Sequence, residues 1–268
     1  MTENNKPLIL ISNDDGVEAK GINELIKAVL PLGEVIVVAP DGPRSGMSSA
    51  ITSTAPLQIR LLEEKTGLRI YSCTGTPVDC VKLGINEILE RKPDLVVTGI
   101  NHGSNASICV LYSGTMGAAI EGCIFGIPSI GFSLTDHLPD ADFGNAAFYA
   151  ALISRKILKE GLPQGICLNV NIPDVKEIKG IKICSQTEGQ WIKEFYTTKD
   201  KKGETQYWLT GEFDNFEPNN PESDEWALAN GYVSVVPTQI DMTAHKMINR
   251  LKHWELINEE LRVKSYCA

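Results

Sequence analysis

The chain has 268 residues, with 34 acidic against 25 basic side chains, a formal net charge of −9. That balance disfavours a groove for the nucleic-acid backbone, which needs a local excess of Lys and Arg, and no basic run exceeds Lys201-Lys202. Apolar residues at 43% and charged residues at 22% place the chain among folding, globular sequences and exclude a disordered one.

Taken in order, the N-terminal Met1 to Pro7 is polar without an apolar signal segment, and no stretch approaches about 18 uninterrupted apolar residues. Secretion and membrane spanning are therefore not expected. From residue 8 to about 173 short apolar runs alternate with helix-length stretches. The apolar runs Leu8-Ile9-Leu10-Ile11, Val35-Ile36-Val37-Val38, Leu95-Val96-Val97, Ser129-Ile130-Gly131-Phe132 and Cys167-Leu168-Asn169-Val170 are rich in β-branched residues, as strands covered on both faces should be. Helices are expected around Ile22 to Leu30, Val78 to Leu89, Met116 to Phe125 and Asn145 to Leu158. Repetition of strand, helix and strand means parallel units, hence a doubly wound, Rossmann-like α/β fold. Thr76-Pro77-Val78-Asp79 carries a local helix start: Thr as N-cap, Pro first, an acid third.

The pattern changes after Pro173. Residues 180 to 240 read as irregular strands and turns, with a hairpin turn at Lys201-Lys202-Gly203 and a polar stretch from Phe216 to Asp224. Ala244 to Leu261 has helical period, with Met247, Ile248, Leu251, Trp254, Leu256 and Leu261 as the expected buried positions. This suggests one domain with a core of about 8–179 and an oligomer-forming hairpin and terminal helix over about 180–268. Seven cysteines, odd in number and without zinc spacing, read as reduced residues of a cytoplasmic protein.

In an open parallel sheet a ligand lies beyond the carboxyl ends of the strands. The first strand runs into Ser12-Asn13-Asp14-Asp15-Gly16. Adjacent carboxylates there repel each other, and a hard divalent cation on oxygen ligands relieves them; helix capping by one Asp is the simpler alternative and explains only one of the two. After the second strand, the loop carrying Arg44 and Ser45 offers a cation and an oxygen ligand, though by itself it reads simply as a turn; after the strand near residues 95–98, Asn101 offers a carbonyl oxygen. A magnesium-like ion, which takes few protein ligands, suits this set. Ser113-Gly114-Thr115 precedes a small-residue helix in which Gly117, Ala118 and Gly122 allow close packing on the sheet. Its N-terminus is either a phosphate cradle or plainly capped by Ser113 or Thr115. With no Walker A motif and no G-x-G-x-x-G, a metal beside an anion cradle points to phosphate-ester hydrolysis. Asp241 and His245, four apart, either form a proton-transfer pair or are a helix cap and a solvated imidazole.

Together these residues resemble the survival protein SurE family of 5'-nucleotidases. The resemblance rests on Asn13-Asp14-Asp15-Gly16, Val38-Ala39-Pro40-Asp41 through Arg44-Ser45, Gly75-Thr76-Pro77-Val78-Asp79-Cys80-Val81, Ser113-Gly114-Thr115 and Asp241-Met242-Thr243-Ala244-His245. It implies a cytoplasmic phosphatase acting on nucleoside 5'-monophosphates, and a C-terminal hairpin with exchanged terminal segments in a homodimer or homotetramer. It also implies one divalent cation per subunit, Mg²⁺ or Mn²⁺, on Asp14, Asp15, Ser45 and Asn101. Asp14, Asp241 and His245 are the expected catalytic groups, with Asn101, Ser113, Gly114, Thr115 and Arg44 at the phosphate. One stretch departs: where the family reads Asn-x-Gly-x-Asn-x-Gly and then acidic residues, this chain has Asn105-Ala106-Ser107-Ile108-Cys109-Val110, a change that bears on substrate preference and rate. A haloacid dehalogenase-like phosphatase needs D-x-D, and position 16 is Gly; a phospho-receiver module needs a third Asp after its third strand, and the run at 129–133 leads into Leu134-Thr135.

Overall fold

The apolar runs form the centre of a nine-stranded sheet in the computed structural model, which describes residues 6–254. Strands β1 (Leu8–Ser12), β2 (Glu34–Pro40), β4 (Leu68–Cys73), β5 (Leu95–His102), β6 (Ser129–Leu134) and β7 (Ile166–Ile172) are parallel. Adding β3 (Ile59–Lys65), β8 (Ile181–Ile183) and β13 (Val233–Gln239) gives the order β3-β4-β2-β1-β5-β6-β7-β13-β8. Strands β3 and β13 run antiparallel to β4 and β7.

Alternation along β1 divides the core. Ile9 and Ile11 face α1 (Lys20–Val29) and α4 (Gly144–Glu160) in a cluster with Val35, Val37, Val97 and Phe132. Leu8 and Leu10 face the side of α2 (Pro77–Leu83) and α3 (Gly114–Ile124), with Ile36, Val38, Val81, Val96 and Ala118. Helices thus cover both faces, which is why every residue of β1 is buried.

Three expectations are corrected. The helix expected over Val78 to Leu89 is α2 followed by a wider, π-type turn at Gly84–Ile88. Gly122 does let α3 approach the sheet, since a Cβ there would lie 2.5 Å from Ser129 Oγ, but Gly117 instead meets the backbone of Ser48. The sheet does not stop at about residue 179: β8 and β13, from the stretch that reads as irregular, extend it beyond β7. The hairpin of β3 and β4 is a further element that pattern reading does not reach, because β3 is an exposed, half-charged edge strand without two-sided burial.

Beyond the sheet, β9 (Gly189–Ile192) pairs with β12 (Glu212–Asn215), and β10 (Phe195–Lys199) with β11 (Thr205–Leu209). The β10–β11 turn falls at Lys201-Lys202-Gly203 as expected, held by Asp200 accepting from the Lys202 and Glu204 amides. Both strands are exposed throughout, including Tyr207 at 70% and Leu209 at 74%. A short helix α5 (Asp224–Ala229) precedes β13, and α6 (His245–Lys252) comes after it. Met247, Ile248, Leu251 and Trp254 were expected to be buried and are exposed, because no other described element covers the apolar face of α6; Leu256 and Leu261 lie outside the described residues.

Helix α2 starts as the sequence predicts. Thr76 Oγ1 accepts from the Asp79 amide at 3.1 Å while Asp79 Oδ2 accepts from the Thr76 amide at 2.9 Å. Thr76→Ala should cost about 0.5–2 kcal/mol of stability, measured by urea denaturation; an unchanged midpoint would show that the cap contributes nothing.

Candidate active site

The chain leaves β1 toward β2 and β4 on one side and later returns to β5 on the other, so the crevice beyond the ends of β1 and β5 is the topological switch point. Four segments meet there. The turn after β1 is closed by Asn13 Nδ2 donating to the Gly16 carbonyl at 2.9 Å. Gly16 has φ +102° and lies against the Gly42 backbone, where a Cβ would be 3.1 Å from Gly42 Cα, so glycine is required. The Arg44 amide donates to the Asp14 carbonyl at 2.7 Å, joining the loop after β2 to this turn. From the end of β5 the His102 amide donates to Asp15 Oδ2 at 3.3 Å. From the first turn of α3, Thr115 Oγ1 donates to Asp14 Oδ1 at 2.5 Å. Gly114 permits that approach, since a Cβ there would stand 2.8 Å from Asp14 Cβ.

The electrostatics are governed by burial. Asp14 is 4% exposed, and desolvation pushes its carboxyl from 3.8 up to about 6, against the lowering effect of the Thr115 hydroxyl and with added repulsion from Asp15. Burial also raises Asp15, while the His102 amide opposes it. Asn13 Oδ1 is buried without a hydrogen-bond donor among the described residues. Two disfavoured carboxylates, following directly on a residue with an unpartnered buried acceptor, suit a hard cation or its hydration shell. No group of three or more His, Cys, Asp or Glu side chains stands in metal-binding array among the described residues, so a cation here would rest on two carboxylates and neutral oxygens. Asn101 donates both amide hydrogens, to the His102 and Gly103 carbonyls at 3.2 and 2.8 Å, which leaves its oxygen as the free end. Ser45 is exposed, one residue beyond the Arg44 anchor.

Some expected groups are committed elsewhere. Ser113 Oγ caps α3 by accepting from the Met116 amide at 3.0 Å. Since the Thr115 hydroxyl proton is given to Asp14, what α3 offers an anion is its first-turn peptide N–H groups. The Arg44 guanidinium pairs with Asp41 Oδ1 at 2.7 Å. Asp241 and His245 do pair, His245 Nε2 lying 2.7 Å from Asp241 Oδ2, but not as one face of a helix. Asp241 precedes α6 in a turn in which Oδ1 accepts from the Thr243 amide at 2.9 Å. Hydrogen bonds from Thr243, then from His245, hold the Asp241 carboxyl down at about 2. Residues 241–254 are exposed throughout, and among the described residues neither side chain bonds to the ends of β1 or β5. The single chain therefore assembles Asp14, Asp15, Gly114, Thr115, the Arg44 backbone and the Asn101 segment, and leaves Asp241 and His245 apart.

Two contributors escape sequence reading. His102 acts through its peptide N–H, which no side-chain pattern reveals. Asp79, legible only as a helix cap, also accepts from the Thr52 amide at 3.1 Å and so holds the loop that continues from Ser45.

Fold and site define a doubly wound α/β protein with an oxygen-donor corner at its switch point and no glycine-rich dinucleotide loop. The chain belongs to the survival protein SurE family, whose pattern it matches over residues 9–193. It is 57% identical over 251 residues to a protein of Phocaeicola vulgatus named 5'-nucleotidase SurE, covering 94% of this chain and 98% of that one. A Bacteroides fragilis protein of the same name is 56% identical over 254 residues, covering 95% and 100%. The crystal structure of the SurE protein from Aquifex aeolicus superposes with a TM-score of 0.79 at 41% identity, covering 93% of this chain and all of that one.

The raised Asp14 carboxyl has a signed consequence for the metal-free protein. A folded-state value above the unfolded one costs nothing below pH 4, costs progressively more as pH rises through about 6, and is constant beyond. Asp14→Asn removes that cost. In EDTA, the variant should be more stable than wild type by about 3 kcal/mol at pH 7, the difference vanishing near pH 4, in urea titrations across pH. A difference independent of pH would contradict the burial argument.

Proposed function

We propose that the chain is a metal-dependent phosphomonoesterase that hydrolyses nucleoside 5'-monophosphates to nucleoside and phosphate. The observation that carries this reading is the buried Asp14 carboxylate facing the first turn of α3, with the half-buried Asp15 beside it on the His102 amide, at the switch point; relatives carrying the name 5'-nucleotidase support the substrate class. Asp14, Asp15, Ser45 and Asn101 are assigned to one divalent cation, Mg²⁺ or Mn²⁺, which the unpartnered Asn13 oxygen and the paired carboxylates favour. Such a cation supplies Lewis-acid polarisation of a phosphoryl oxygen when bound.

The chain's own groups do the rest. Thr115 fixes one oxygen of Asp14, so the other is presented in a single orientation. The peptide N–H groups of Gly114 and Thr115, with Ser113 and Asn101, face the phosphate, and Arg44 completes the charge once it exchanges Asp41 for the substrate. His245, oriented by Asp241, donates a proton to the leaving ribose oxygen. Because that pair lies on an exposed segment, it reaches a site through exchange of terminal segments in a homodimer or homotetramer. The exposed apolar faces of the β10–β11 hairpin and of α6 favour such an assembly. No described helix is long and apolar enough to cross a membrane. The six described cysteines are free, which supports a cytoplasmic location.

Phosphate release from a panel of nucleoside monophosphates with Mg²⁺, Mn²⁺ or EDTA tests the reaction. Asp14→Asn and Asp15→Asn should both lose activity and the metal-induced rise in Tm while keeping a cooperative transition. Full activity in either would remove the metal assignment. His245→Ala should lower kcat by about 10²- to 10⁴-fold on natural nucleotides and much less on p-nitrophenyl phosphate, whose leaving group needs no proton. Equal losses on both would mean a binding role. Sedimentation should show a dimer or larger; a clean micromolar monomer contradicts the assembly.

A further inference from the structure

The segment from Asn101 to Ser113 links two sides of the candidate site, and its middle is held by a carboxylate far away in sequence. Ser107 has φ +51°, the left-handed region that a non-glycine residue occupies only under constraint. Its amide donates to Asp224 Oδ2 at 2.8 Å, and its hydroxyl donates to the Thr187 carbonyl at 2.9 Å. Asp224, first residue of α5 and fully buried, accepts three more hydrogen bonds on Oδ1: from the Thr187 amide at 3.0 Å, the Thr187 hydroxyl at 2.6 Å and the Glu225 amide at 2.8 Å. No Lys or Arg pairs with it among the described residues, so neutral donors alone meet its charge.

From Ser107 the chain runs directly into the site. The tight turn Ser107–Leu111 ends at carbonyls that receive the Ser48 hydroxyl (Leu111, 2.6 Å) and the Ser48 amide (Tyr112, 3.2 Å), three residues past Ser45. Ser113 and Thr115 come next, with Thr115 on Asp14. On the other side, Asn105 is tied to Asn171, Ser133 and Asn169. We propose that Asp224 is a positioning residue for the phosphomonoesterase site: by holding Ser107 in the left-handed conformation it sets the turn that places Ser45 on one flank and the first turn of α3 on the other. The C-terminal half of the chain thereby controls the carboxylate corner, whose groups all come from the N-terminal half. This role rests on the phosphomonoesterase reading for its activity readout, whereas amide exchange at Ser107 does not.

Asp224→Asn is the discriminating change. Oδ1 takes three donors, so the amide oxygen settles there and its NH₂ group faces the Ser107 N–H, donor against donor. Amide exchange across residues 107–113 should speed up more than tenfold with the rest of the chain unchanged, and kcat/KM should fall by about 10- to 100-fold well below Tm. Adding Ser107→Gly, which adopts φ +51° without an anchor, should restore most of the activity. Activity loss that Ser107→Gly does not relieve, or unchanged exchange at 107–113, would overturn the role. If Asp224→Asn does not fold, Ser107→Thr carries the test, since a β-branched residue resists this conformation; wild-type activity and exchange in it would equally refute the proposal. Should wild type release no phosphate, the enzymatic reading fails, and exchange still decides whether Asp224 holds the turn.

Discussion

Asp14 and Asp15 stand side by side at the end of a strand covered on both faces, where water cannot solvate both charges. A carboxylate in that position persists only if hydrogen-bond donors and cations are brought to it. Much of the local architecture answers that requirement. The hydroxyl of Thr115, the amide of His102 and the backbone link from Arg44 arrive from three different segments, and the glycines at 16 and 114 remove the side chains that would keep them away. These donors reduce the cost without cancelling it, since Asp14 still sits well above its ordinary range. The remaining imbalance is what a metal-dependent phosphatase would use.

The second half of the chain serves this corner at a distance. Strands β13 and β8 extend the sheet beyond β7, and α5 delivers Asp224 to the turn after β5. The β10–β11 hairpin and α6 contribute nothing to the core of the single chain. Their apolar residues face solvent in the single chain.

Strands buried on both faces were legible in the sequence, because short apolar runs rich in β-branched residues leave few alternatives, and five of them fall where pattern places them. The start of α2 was legible for a different reason: Thr76 and Asp79 satisfy each other within four residues. Strand β3, half charged at an edge, carries no such pattern, and β13 was hidden in a stretch that reads as irregular. The buried positions assigned to α6 from its period were wrong for the single chain, since period shows which face is apolar and not what covers it.

Within the site the division is similar. Residue type and position near a strand end determined that Asp14, Asp15 and Asn101 lie at the carboxyl edge of the sheet, although Asn101, expected just after its strand, is still within the last residues of β5. Only the tertiary structure decided that the Thr115 hydroxyl goes to Asp14, that Arg44 is occupied by Asp41, and that Asp241 and His245 lie away from the carboxylates. It alone joined Ser107 to Asp224, 117 residues apart. Strand edges and helix starts arise from interactions within a few residues, which the order of amino acids encodes directly; long-range hydrogen-bond partners are chosen by which donor packing brings within about 3 Å of which acceptor.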